Sequence, residues 1–342
     1  MGRISFGEMV YLILRGDLPT PEIVDLLESL EPEYVARING IDYARVYEVP
    51  PLVSENVPPI SNPASVNLDD QITFLGYDLE EARVESGGEI GITLYWQGRQ
   101  SLDTDYSTYL RLVNGVYDVW AQQDGGPVRG MMPTSRWDEG VITDERRLQV
   151  LPGTPPGFYQ IAIGMYEPAT LQHLEPVGPD EELLLGPVEV TRGLAAGPPA
   201  PQHAREANLD DQIRLLGYDL EGQPEPGDSL HLTLFWQALS TPQDDYTVFV
   251  HLVGEDGLIV GQQDSQPVSG FHPTSEWTGG EFVRDQYHVT ISEVAPPGEY
   301  SLRVGMYRAG TGDRLPFLDE HGDALGDSLP LTGIQLGRSG RD

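Results

Sequence analysis

Hydrophobic and polar positions alternate with a period of two along most of this chain, and the alternation occurs twice in the same order. Ile90, Ile92, Leu94 and Trp96 share one face of a stretch, as do Leu230, Leu232, Leu234 and Trp236. The next stretch alternates as Tyr106, Thr108, Leu110 and Leu112, answered by Tyr246, Val248, Val250 and Leu252. Glycine-containing turns (Asn114-Gly115; Asp256-Gly257) lead into residues 117–123 and 258–263, and 141–151 and 282–291 supply a further strand each. Pro155-Pro156-Gly157 and Pro296-Pro297-Gly298 then turn the chain into Tyr159-x-Ile161-x-Ile163 and Tyr300-x-Leu302-x-Val304. Residues 183–190 and 329–336 close each unit. About seven strands per unit, separated by turn signals, predict a mainly β chain of antiparallel sandwiches, immunoglobulin-like or jelly-roll-like.

The two units are copies. Residues 67–79 read Asn-Leu-Asp-Asp-Gln-Ile-Thr-Phe-Leu-Gly-Tyr-Asp-Leu, and residues 208–220 repeat them almost letter for letter, 141 positions on. Gln122-Gln123-Asp124, Pro133-Thr134-Ser135, Trp137 and Gly164-Met165-Tyr166 recur as Gln262-Gln263-Asp264, Pro273-Thr274-Ser275, Trp277 and Gly305-Met306-Tyr307. A period this long is a duplicated domain, not a solenoid. The expected division is a small α/β segment at 1–50, a Pro-rich connector at 51–66 and repeat 1 at 67–192. An Ala/Gly/Pro linker follows at 193–206, then repeat 2 at 207–337 and a tail at 338–342. In the N-terminal segment, residues 8–14 read as a strand. Thr20 and Pro21 read as the start of a helix carrying Ile23, Val24, Leu26, Leu27 and Leu30, and Asn39-Gly40 as a hairpin turn.

Composition removes several classes of chemistry. The 342 residues contain no cysteine and no lysine, all 20 basic residues being arginine, so thiol nucleophiles, disulfides and lysine bases are excluded. A net charge of −34 disfavours nucleic acid and direct adhesion to anionic lipid. No apolar run approaches a membrane span, and the first residues lack a signal-peptide pattern, so the chain as written reads as soluble and without an address. The sequence contains no HExxH, G-x-S-x-G, GxGxxG or P-loop motif, and no catalytic residue, cofactor or metal is assigned. Asp69-Asp70, Asp210-Asp211, Asp103/Asp105 and Asp244/Asp245 offer oxygen ligands, but without the spacing of a calcium loop.

Trp96 and Trp236 fall with the aliphatic row, which places them in the core instead of on a sugar-stacking surface; Tyr159 and Tyr300 read as corner or core tyrosines. The opposite face carries the candidate ligand contacts: Tyr95, Tyr109 and Arg111 in the first copy, Phe235, Phe249 and His251 in the second. Aromatic groups there either stack on a ligand or are covered by a neighbouring domain. The Pro-Thr-Ser-x-Trp loop reads as a turn held by its hydroxyls, with ligand recognition as the alternative.

Leu75-Gly76-Tyr77-Asp78-Leu79, Leu94-Tyr95-Trp96-Gln97, residues 245–252, and Pro297-Gly298-x-Tyr300 with Gly305-Met306-Tyr307 resemble a β-sandwich module. It is found in the C-terminal soluble part of bacterial multi-pass membrane glycosyltransferases similar to the dolichyl-phosphate-mannose-protein mannosyltransferases. Residues 30–34 and 39–47 resemble the small soluble segment that follows the last membrane helix in that family. That family's catalytic acids lie in the membrane half, which this chain lacks, so no residue here inherits a catalytic role. The resemblance implies a non-catalytic extracytoplasmic accessory region that contacts glycan or lipid-linked sugar, with a membrane-embedded glycosyltransferase domain as partner. A structural or adhesive envelope module binding protein partners, and a glycan-active enzyme using an acidic pair, are the alternatives.

Overall fold

The computed structural model describes the strands within residues 2–54, and residues 58–337 apart from 116–118, 138–139, 179–181, 194–196 and 223–224. At the N-terminus, β1 (Gly2–Phe6), β2 (Met9–Ile13), β3 (Tyr34–Ile38) and β4 (Ile41–Val49) form an antiparallel sheet in the order β1-β2-β4-β3. Pairing of β3 with β4 closes at Ile38 opposite Ile41, and the turn expected at Asn39-Gly40 lies outside the described residues. The helix expected near residues 20–30 lies outside the described residues.

Ten strands follow in the first copy. They are β5 (Val53–Ser54), β6 (Asn62–Leu68), β7 (Ile72–Leu79), β8 (Arg83–Glu85), β9 (Glu89–Gly98), β10 (Ser107–Val113), β11 (Val119–Gly125), β12 (Val141–Gln149), β13 (Gly157–Tyr166) and β14 (Leu183–Thr191). They build two sheets, β5-β12-β9-β7-β6 and β11-β10-β13-β14-β8, antiparallel except where β14 meets β8. The second copy repeats the plan with β15 (His203–Leu209), β16 (Ile213–Glu221), β17 (Ser229–Ala238), β18 (Tyr246–Gly254), β19 (Ile259–Ser265), β20 (Phe282–Thr290), β21 (Gly298–Arg308), β22 (Phe317–Leu318), β23 (Ala324–Gly326) and β24 (Leu329–Leu336). Its sheets run β20-β17-β16-β15-β22-β23 and β19-β18-β21-β24. Strands β6 and β15 begin inside the stretches expected to be connector and linker, because each pairs with the strand after it. The chain is mainly β, and the inward rows are buried as the alternation requires: Trp96 and Trp236 are fully enclosed, with Ile92, Leu94, Leu232 and Leu234.

The repeated Leu-Gly-Tyr-Asp-Leu motif has a physical role at each polar letter. Register shifts at Gly76 and Gly217 make a bulge, and a β-carbon at either position would run into the carbonyl of the entering strand, Asn62 or His203. The tyrosines pin one sheet to the other: Tyr77 Oη accepts the N–H of Gly186 at 3.0 Å, and Tyr218 Oη donates to the Leu331 carbonyl at 3.3 Å. Asp78 and Asp219 each accept a backbone N–H of the entering segment, from Ser61 and Gln202, at 2.6 Å. Ahead of the motif, Asp69-Asp70 and Asp210-Asp211 take left-handed φ values of 46° to 56°. Asn67 and Asn208 donate to the second aspartate of each pair, so these carboxylates lock a tight turn.

The Pro-Thr-Ser-x-Trp loop is a clasp. Thr134 Oγ1 donates to the Thr104 carbonyl at 2.7 Å and accepts the Tyr106 N–H at 2.9 Å; Thr274 does the same with Asp244 and Tyr246, at the same two distances. Trp137 and Trp277 are buried and donate to the carbonyls of Met132 and His272. Tyr159 and Tyr300 donate to the carbonyls of Pro155 and Pro296, four residues upstream, at 2.7 Å, the arrangement of a tyrosine corner.

Candidate functional site

The six residues expected to contact ligand do not form an open platform. Tyr95, Tyr109, Phe235 and Phe249 are all buried, at 1–8% exposure, and Arg111 and His251 are half-buried. The cover on Tyr109 and Phe249 comes from each copy's own β13–β14 or β21–β22 connection, not from a neighbouring domain. Tyr109 lies over Gly164 with His173 against it at 5.1 Å and the Arg111 guanidinium 4.7 Å from its ring centre. Phe249 lies over Gly305 beneath Arg314, whose guanidinium is 4.3 Å from the ring. His251 Nε2 is 3.1 Å from Asp264 Oδ1. Burial pushes the Tyr109 phenol up to about 12, with Glu182 adding to the effect. Tyr95 donates to Asp78 Oδ2 at 2.7 Å; burial and that carboxylate raise its phenol to about 12. Burial opposes ionisation of Asp78, yet the Ser61 N–H and the Tyr95 hydroxyl hold its carboxyl below the usual range. Period-two alternation marked these groups as facing away from the core, but Tyr95 and Phe235 stand on one sheet of each sandwich and Tyr109, Arg111, Phe249 and His251 on the other. Alternation carries no information about that division or about a connection folding back.

The two copies are joined by polar and packing contacts that have no signature in the sequence. Arg192, at the end of repeat 1, donates from Nε to Glu281 Oε2 at 3.1 Å and from Nη2 to the Glu276 carbonyl at 2.8 Å. Glu281 is buried and also receives the Thr278 N–H at 2.8 Å, while its Oε1 lies 2.9 Å from Nε2 of buried His272. Burial alone would raise the Glu281 carboxyl; hydrogen bonding to His272 and Thr278, with the charge of Arg192, holds it below the usual range. The Arg284 N–H donates to the Gly153 carbonyl at 2.7 Å, and Phe271 packs edge-on to Tyr159 above Gly157. The first copy has Met132 and Gly140 where the second has His272 and Glu281, so the latch belongs to the second copy alone.

Beside this seam lies a cleft of about 390 Å³, within the range of roughly 300–1,000 Å³ typical of small-molecule sites. Val119, Ala121, Gln122 and Leu151 of the first copy form one wall. The other is the outward face of β16, β17 and β20, where register aligns Glu221 with His231 and His288, and Asp219 with Thr233 and Gln286. Gln286 Nε2 donates across to the Val119 carbonyl at 3.2 Å. His231 and His288 meet edge to face at 4.6 Å. Arg284 stands over the end of the row; its Nη1 is shielded from solvent without a hydrogen-bond partner, and burial lowers its basicity against the pull of Asp219 and Glu221.

The first copy supplies an internal control for this face. There Gly91, Thr143, Glu145 and Arg147 occupy the ladder positions of His231, Arg284, Gln286 and His288. Arg147 makes a paired contact with Glu80 at 2.5 and 2.6 Å, and the pair lies across Gly91, where no side chain obstructs it. In the second copy His231 fills that space, and no ion pair joins Glu221 to a described residue. Tyr95 becomes Phe235, so the hydroxyl that occupies Asp78 Oδ2 has no counterpart at Asp219. Comparing the copies at outward positions was the signal available in the sequence; the cores match while this face diverges.

Among the described residues no three His, Asp or Glu converge as a metal site, and no helix is long and apolar enough to cross a membrane. No family model matches the chain, and no curated protein matches it.

Proposed function

We propose that this chain is a non-catalytic, stiff two-repeat module, the extracytoplasmic accessory region of a membrane glycosyltransferase system. The observation that carries the reading is the Arg192–Glu281–His272 latch, which ties the end of one sandwich to a buried carboxylate of the next. Two sandwiches held this way set a fixed distance between whatever lies at either end, as a spacer requires. Burial of Tyr109 and Phe249 beneath each copy's own connection argues for scaffolding over glycan contact at those positions. In the cleft between the copies, Asp219 and Glu221 stand two residues apart on one strand and point the same way, which favours the non-catalytic reading over an acidic pair there. The resemblance of the Leu-Gly-Tyr-Asp-Leu motif and of residues 30–47 to the glycosyltransferase module supplies the membrane system.

Small-angle scattering of the full chain tests the spacer. A single compact arrangement is expected for the unaltered protein, with a broadened distance distribution for Arg192→Ala combined with Glu281→Gln. A distribution already broad before substitution would refute it. The chain alone is also expected to transfer no sugar from a polyprenyl-phosphate donor, and turnover there would overturn the non-catalytic assignment.

A further inference from the structure

The cleft between the copies has a composition that the spacer role does not require. We propose that it is a binding site for a neutral saccharide, held between the β11 wall of the first copy and the Asp219–Arg284–His231 face of the second. Charge sets the first condition on the ligand. Arg284 contributes one positive charge, and Asp219 and Glu221 two negative ones, in a chain of net charge −34. An anion meets two carboxylates and an unfavourable overall field, whereas a cation must sit beside the like charge of the Arg284 guanidinium. A neutral ligand avoids both penalties.

Hydrogen-bonding capacity narrows the class. Arg284 lines the cleft and is only half-buried, so its guanidinium can give a charge-assisted hydrogen bond to an acceptor placed there, while its shielded Nη1 stays without a partner. Asp219 Oδ2 lacks the tyrosine hydroxyl that satisfies its counterpart, and the Thr233 hydroxyl and the Gln286 amide, whose N–H goes to Val119, stand in the same row. Donors and acceptors therefore alternate across a few ångströms. A sugar ring answers this because each hydroxyl both donates and accepts. The aliphatic patch of Val119, Ala121 and Leu151 suits the C–H face of the ring. A peptide is favoured less: the edge strand β20 already gives the Arg284 N–H to Gly153.

The difference between the copies points the same way. The first copy closes the same ladder with the Glu80–Arg147 pair across a glycine. The second removes the cation, inserts an imidazole and adds Arg284, so that the face is opened to a ligand while the core is kept.

The site rests on the same fixed seating of one copy on the other as the spacer; scattering reports that seating and titration reports the ligand, so the two failures are distinguishable. The test is calorimetric titration of the full chain with maltotriose, cellotriose, mannotriose and triacetylchitotriose, beside acetate, inorganic phosphate and triglycine. At least one trisaccharide is expected to bind saturably at millimolar concentration or below. Arg284→Thr, which installs the first copy's residue, is expected to weaken it by about tenfold or more, the loss of a charge-assisted hydrogen bond. The pair His231→Gly with His288→Arg rebuilds the ion pair to Glu221 and is expected to abolish binding. These residues already stand at the same ladder positions of the first copy; urea melts check that each variant folds, and either variant suffices. Binding by none of the trisaccharides, binding only of acetate, phosphate or triglycine, or trisaccharide affinity unchanged in both variants would overturn the proposal.

Discussion

Gly76 lies in the left-handed half of backbone space, at φ +135°, with the Asn62 carbonyl against the place where a β-carbon would stand. Gly76→Ala therefore meets both backbone strain and a clash with main chain that cannot swing aside. A loss of about 3 kcal/mol or more is expected, from strain of roughly 1–3 kcal/mol with the clash added, read by urea unfolding; a loss below 1 kcal/mol would refute the bulge account. Glu281 makes a different kind of residue-scale statement. Its folded carboxyl titrates below the unfolded value of about 4.5, so the unfolded chain binds the proton more readily. The resulting stability is fully present above the unfolded value and drains away as pH falls through the lower, folded one. Glu281→Gln is expected to lose about 2 kcal/mol at pH 7, the worth of hydrogen bonds to a charged group, and to flatten the acid limb of the stability profile. An acid limb that stays as steep in the variant would mean that other carboxylates set it.

At the scale of the element, the clasp loop shows why a duplicated motif need not be a binding motif. Thr134 bridges Thr104 and Tyr106 with one hydroxyl, holding the loop that leads into η1 (Thr134–Arg136) against the start of β10. Thr134→Val keeps the shape, removes both bonds and leaves a buried N–H and a carbonyl unsatisfied. A cost of about 1–3 kcal/mol is expected by chemical denaturation, with circular dichroism unchanged. The reading of this loop as a turn held by its hydroxyls agrees with the structure for the threonine, while the serine takes part through its backbone N–H, which donates to Asp105 or Asp245. The inward rows were legible for a related reason, since with a period of two a single buried face fixes which letters are apolar. The count of about seven strands fell short of ten per copy, because short strands such as β5, β8, β22 and β23 carry too few letters to show a period. The reach of the β13–β14 and β21–β22 connections over Tyr109 and Phe249 was not legible, since cover by a loop leaves no periodic trace.

At the scale of the whole molecule, the net charge is a feature that no single residue or element shows. A net −34 on 342 residues stores self-repulsion that the folded state confines more tightly than the unfolded one. Raising ionic strength from about 0.01 M to about 0.15 M shortens the screening length from about 30 Å to about 8 Å, and the melting temperature is expected to rise by several degrees in differential scanning fluorimetry. A flat or falling melting temperature would show that local ion pairs, such as Glu80–Arg147, outweigh the long-range field.

The duplication, the strands and the buried rows were determined by the sequence alone, because they rest on local alternation and on repeated letters. The candidate site was decided by tertiary structure. Arg192 meets Glu281 across 89 positions, and Gln286 reaches Val119 across 167. Which outward faces are sealed, latched or left open depends on how one sandwich lands on the other, and that is settled by contacts between residues remote along the chain.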